Sequence, residues 1–210
     1  MDFSFGFTYD SQYFPEQPKE LHEKIARTGT HHEKWDLAGR DDLSPEVIAI
    51  LAQDSDPSIR DSIAMNHLTS ASVLASLVSR HPDQIPAASI HENAPATLKD
   101  LAPIHWQMDG SIYQYLKDKE ATEEESVRFR KERDRLHRQY MNRLKKARQG
   151  LSPEEWPDFD TPRTPLLGEV WRTIRPEGDE QPSPYSQEFL RAAAYYWDRW
   201  SRSVGSVELP

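Results

Sequence analysis

Seven arginines and three lysines fall between Arg128 and Arg148, and Arg128, Arg135, Arg138, Arg143, Lys145 and Lys146 are the candidates among them for holding an anion. A guanidinium forks onto carboxylate or phosphate oxygens, and an ammonium meets either as a point charge. The chemistry on offer is therefore anion recognition. Phe129, Leu136, Tyr140, Leu144, Ala147 and Leu151 recur between the cations at helical spacing, which predicts a helix with one narrow apolar stripe. Thr122 followed by Glu123, Glu124 and Glu125 supplies a capping hydroxyl and a negative first turn, and Gly150 suits a left-handed stop. A helix over 122–150 would be roughly 40 Å long at 1.5 Å per residue.

The charge distribution bears on which anion. Residues 1–121 carry 10 basic and 19 acidic side chains, residues 122–150 carry 10 and 5, and residues 151–210 carry 6 and 11, within a net charge of −9. A general nucleic-acid binder is more often basic throughout. Net charge thus favours docking of the basic helix against the chain's own carboxylates, and pairing with a second copy in a homodimer is a companion reading. Binding of nucleic acid by residues 128–148 is the alternative, with Tyr140 and Phe129 available to stack on bases where they are not buried. A membrane-surface helix is the weakest of the readings.

Other reactive groupings are sparse. The chain has no cysteine, so it offers no thiolate metal site, disulfide or thiol nucleophile. No phosphate loop, dinucleotide fingerprint, nucleophile elbow or paired-histidine zinc helix appears. His31, His32 and Glu33 are adjacent and so face different ways on a helix, while His67, His81 and His91 read as turn histidines. Asp41 with Asp42, and Asp54 with Asp56, read as caps and turn formers. A non-enzymatic protein without metal or cofactor is expected. Only 36% of residues are hydrophobic and mean hydropathy is −0.83, with no apolar run approaching the ~20 residues a membrane helix needs. The opening Met1-Asp2-Phe3-Ser4-Phe5 lacks a basic start, so a cytoplasmic location is expected.

Something must carry these side chains, and residues 18–117 supply it as about four copies of one short unit. The clearest runs from Ser44-Pro45-Glu46-Val47 through Leu51-Ala52 and Asp56-Pro57-Ser58-Ile59-Arg60 to Ile63-Ala64 and Asn66. Shifted back by 26, Val47, Leu51, Ile63 and Ala64 fall on Leu21, Ile25, Leu37 and Ala38. Shifted forward by 26, Ser44, Val47, Ile48, Leu51 and Ile59 fall on Ser70, Val73, Leu74, Leu77 and Ile85. A fourth copy opens at Ala94-Pro95 and reaches Ile112 and Leu116. Periods of 20–50 residues signal units that bury their apolar faces only against neighbours. Ser44 and Pro45 start a helix and Asp54 to Pro57 turn the chain into a second. In the third copy Pro86 replaces Arg60, which predicts a distorted second helix or mostly turn.

The wording LAQDSDPSIRDSIAMN followed by LTSASVLASLV resembles the leucine-rich-repeat variant family over residues 18–117. That resemblance implies a right-handed superhelix in which an α-helix alternates with a 3₁₀-helix, and it brings no activity with it. The cysteine-bound iron–sulfur cluster of one known member has no ligands here.

The parts outside the repeats complete the expected layout. Residues 1–17 alternate Phe3, Phe5, Phe7 and Tyr9 with small polar residues and read as an aromatic cap on the first repeat. Residues 151–210 hold a proline-rich stretch, with Leu166–Ile174 its one plausible strand, and an aromatic helix at about Ser186–Ser203. The whole reads as all-α: a short right-handed helical solenoid, a long basic helix, an extended proline-rich segment and a C-terminal aromatic helix. The function expected of it is that of a protein-interaction scaffold. Its repeat surface would hold a protein partner through Lys34, Asp56, Arg60, Asp61, His67 and His91.

Overall fold

The computed structural model describes residues 18–104, 109–151 and 164–175, together with helical positions 189, 192, 193 and 195–197. The fold is all-α, with no strand among the described residues and one isolated bridge between Pro103 and Leu166. The aromatic N-terminal cap and most of the proline-rich stretch lie outside the described residues.

Helix starts are set by local chemistry. Helix α1 (Lys19–Thr28) is followed by α2 (His31–Ala38), whose Thr30 hydroxyl accepts from the Glu33 N–H while Glu33 accepts from the Thr30 N–H at 2.7 Å. Ser44 caps α3 (Pro45–Leu51) and Asp56 caps α4 (Pro57–Met65), each with proline at the first helical position, where the missing N–H has no intrahelical partner to lose. Ser70 caps α5 (Ala71–Arg80).

In the third repeat the chain forms a 3₁₀ turn at Pro82–Gln84 and then α6 (Ile85–Ile90). The irregularity that Pro86 predicts takes the form of this 3₁₀ turn, and Pro86 itself falls at the second position of α6, where no backbone donor is needed. The 3₁₀ turn restarts the helix and so absorbs the proline. The second helices α2 and α4 are α-helical, where the family resemblance implies 3₁₀. Helices α7 (Ala96–Lys99) and α8 (Asp109–Asp118) follow.

Helix α1 lies against α3, α2 against α4, and α4 against α6. Ala26, Leu37, Leu51, Ile59, Ile63, Leu74, Leu77 and Ile85 are buried between them. Asparagines then join one unit to the last. Asn66 Nδ2 donates to the Ala38 and Arg40 carbonyls at 2.9 and 2.7 Å, and Asn93 Nδ2 donates to the His67 and Thr69 carbonyls at 3.0 and 3.1 Å.

Residues Leu166–Ile174 correct the expected strand. They form helix α10 (Leu167–Ile174), with Leu167, Val170 and Trp171 buried at helical spacing and Glu169 accepting from the Leu166 N–H. Helix α10 packs on α7 and on α9 (Glu123–Arg148), so it joins the repeats to the basic helix. Tyr115 of α8, Phe129 of α9 and Trp171 of α10 meet there with ring centroids 5.6 to 6.4 Å apart. Gly168 is required by this approach: a Cβ there would lie 2.8 Å from Asp100 Cβ. Ala193 and Trp197 are helical and buried, and Trp197 Nε1 donates to the Leu101 carbonyl at 3.0 Å.

Candidate anion-binding face

Helix α9 is pinned at its start. The Thr122 hydroxyl accepts from the Glu125 N–H, and Glu125 Oε2 accepts from the Thr122 N–H at 2.8 Å. Arg175 then forks onto the same carboxylate, with Nε 3.0 Å from Oε1 and Nη2 2.9 Å from Oε2, while its guanidinium lies 5.0 Å from the Trp171 ring centre. The Arg175 fork, followed by the Thr122 N–H, holds the Glu125 carboxyl down at about 2. Beyond this anchor Phe129 and Tyr140 are buried, and Leu136, Met141, Leu144 and Ala147 are half-buried along the inner side. The chain leaves through Gly150 at φ +80°.

The outer side is cationic and open. Arg128, Lys131, Arg135, Arg138, Arg143, Lys145 and Lys146 are all exposed. Arg135 is neutralised by a two-pronged bond to Glu132 at 2.6 and 2.7 Å, and Arg133 pairs with Asp134. Among the described residues, no carboxylate lies within ion-pair distance of Arg128, Lys131, Arg138, Arg143, Lys145 or Lys146.

Two expectations are corrected here. The described residues do not dock the cations against repeat carboxylates. Burial falls to the apolar stripe, which gains by leaving water, while buried cations would lose hydration that pairing recovers only with excellent geometry. Phe129 and Tyr140, being buried, are not available to stack on bases.

The six residues assigned to a repeat surface do not form one open face. Lys34 Nζ reaches Asp54 Oδ2 at 2.8 Å, joining the first unit to the second. Asp56 accepts from the Ser58 N–H at 2.8 Å and lies 3.2 Å from His31 Nε2. Arg60 is buried, donating to the Asp54 and Ser55 carbonyls at 2.8 and 2.9 Å and reaching Asp83 at 3.3 Å. His91 is buried as well: Nε2 contacts the Asn66 carbonyl at 2.9 Å and Nδ1 accepts from the Asn93 N–H at 3.0 Å. Burial lowers its pKa, against the raising effect of the Asn66 carbonyl. Asp61 is half-buried, and burial followed by the charge of Asp83 raises it to about 6. The side chain of His67 alone among the six is exposed.

Polar type suggested an outer surface for Arg60 and His91, yet both serve the seams between units. His91 and Asn93 stand 25 and 27 places after Asn66, a spacing close to the 26-residue period of the sequence. Two residues on the open face also went unassigned: Gln139 and Asn142 are exposed among the cations.

No group of three or more histidine, aspartate or glutamate side chains suited to a metal ion occurs among the described residues. No described helix is long and apolar enough to cross a membrane. No family model matches the chain, and no match was found among curated proteins or solved structures.

Proposed function

We propose that the chain is a non-enzymatic binding protein that holds nucleic acid on the outer face of α9, with α10 and the repeats as its seat. The observation that carries this reading is the set of exposed cations Arg128, Lys131, Arg138, Arg143, Lys145 and Lys146, which no described carboxylate neutralises. Exposed Lys and Arg gain from phosphates chiefly by releasing the counterions condensed on them. The negative charge of the flanking segments then has a role: it repels a polyanion from the remaining surface and leaves one face for contact. A scaffold built on the repeat surface is less well supported, because Lys34, Asp56, Arg60 and His91 are engaged within the protein.

The test is a gel-shift titration of the full chain with mixed-sequence nucleic acid across a series of salt concentrations. Engagement of about five phosphates predicts a log–log slope near −4.5, since each contact contributes about −0.9 on B-form DNA. Reversing Arg138, Arg143, Lys145 and Lys146 to glutamate should abolish the shift, whereas Lys19→Glu in α1 should leave it. Absence of any shift at low salt with a correctly folded chain overturns the proposal.

A further inference from the structure

We infer that the nucleic acid is a B-form DNA duplex and that α9 enters its major groove, with Gln139 and Asn142 facing the base edges. The inference rests on the nucleic-acid reading above and adds the form of the partner and the means of selectivity.

At 3.6 residues per turn, Arg135, Gln139, Asn142 and Lys146 follow one another at spacings of four, three and four, and so form the ridge of the exposed face. Lys131, Arg138 and Lys145 recur every seven residues along one flank of that ridge, and Arg143 lies on the other. Gln139 and Asn142 are exposed and make no hydrogen bond within the described structure. A helix lying along a single phosphate strand would gain most from an unbroken row of cations on its ridge, whereas two amides interrupt the ridge between Arg135 and Lys146. Cations on both flanks with amides between them fit two phosphate strands on either side of exposed base edges. A carboxamide donates and accepts at once, which matches the N6 and N7 positions of adenine.

Geometry narrows the partner further. A helix is about 10–12 Å across with its side chains, and the B-form major groove is about 12 Å wide, whereas the A-form major groove is too deep and narrow to be read. Single-strand binding surfaces carry aromatic rings on which bases stack, and the exposed ridge of α9 carries none, because Phe129 and Tyr140 are buried. The inner side of α9 packs on α10, and no described helix packs on its outer side, the arrangement a groove-entering helix requires. Glu123 and Glu124 are exposed in the first turn, so the end of the helix nearer Arg148 is the part that enters.

Fluorescence anisotropy on the full chain tests this with four labelled probes: randomised DNA duplex, single-stranded DNA, RNA duplex, and a duplex enriched by selection from the random pool. Tightest binding to DNA duplex, with the selected sequence preferred, is expected. Gln139→Ala and Asn142→Ala should each reduce the preference for the selected sequence by roughly 5- to 150-fold while leaving the salt slope unchanged. Arg138→Glu should weaken all duplexes alike. Preference for single strands or RNA, or unchanged selectivity in both amide variants, overturns groove entry while nucleic-acid binding stands. No binding to any probe at low salt overturns both.

Discussion

Tyr115 Oη donates to Asp100 Oδ1 at 2.7 Å in the seam where the repeats end and α10 begins. Both residues are buried, and the second carboxylate oxygen of Asp100 accepts from Lys119 Nζ at 3.1 Å. The Asp100 carbonyl accepts from the Gly168 N–H at 3.0 Å, so one residue ties α7, α8 and α10 together. Burial raises its carboxyl, with Lys119 and then Tyr115 acting to lower it.

Tyr115→Phe keeps the ring packed on Phe129 and Trp171 and removes only the hydroxyl. It leaves a buried carboxylate oxygen one donor short, which should cost about 1–3 kcal/mol. Urea unfolding should show a lower midpoint with an unchanged slope. An unchanged midpoint would mean that Asp100 is already satisfied without the tyrosine.

Asn66 offers a sharper comparison. Asn66→Ala loses two donated bonds to carbonyls of the preceding unit, and the cost should be about 2 kcal/mol or more, since a buried carbonyl left unpaired costs roughly 1–3 kcal/mol. Asn66→Asp keeps the shape but turns an acceptor toward those same carbonyls, so it should destabilise more than alanine at neutral pH. Equal melting temperatures for the two variants would contradict the seam as described.

Much of this was legible in advance. Ser44, Asp56, Ser70 and Thr122 act as caps where their types suggest, because capping depends on residues only two or three places away. The apolar stripe of α9 and the stop at Gly150 were readable for the same reason. Leu166–Ile174 was misread because Val170, Trp171, Thr173 and Ile174 favour strands by type, and Gly168 interrupts the helical pattern. The burial of Leu167, Val170 and Trp171 against α7 and α9 decides the matter, and those partners lie far off in sequence. The fate of the candidate cations followed the same rule. Arg60 is drawn inward by carbonyls five and six residues before it, and Arg138 remains in water because nothing described approaches it.

Asp61 makes the fold sensitive to alkali in a defined window. Its folded pKa, about 6, lies above the unfolded value of 3.8, so its contribution is fully present below pH 3.8 and is lost as pH rises through about 6. Asp61→Asn should therefore raise the melting temperature above pH 6 and have little effect near pH 4. A variant no more stable than wild type at pH 7.5 would show that Asp61 ionises freely.

His91 acts with the opposite sign. The neutral ring with hydrogen on Nε2 satisfies both the Asn66 carbonyl and the Asn93 N–H, and a second proton on Nδ1 would face that N–H. Its folded pKa lies below 6.5, so stability present above pH 6.5 is lost as pH falls toward the folded value. The histidine ring signals followed by NMR should titrate below the ordinary range for His91 and not for exposed His67. Titration of His91 at 6.5 or higher would contradict its placement.

The asparagine bonds run one way only. Asn66 reaches back to carbonyls at 38 and 40, and Asn93 reaches back to carbonyls at 67 and 69. Through these two asparagines the later segment brings donors to acceptors already present in the chain before it. A ribosome releases them in that order, so every unit emerges to find its docking edge in place. The array consequently has a grain. Trimming from the rear bares carbonyls, whereas trimming from the front bares the amide donors of Asn66 and Asn93.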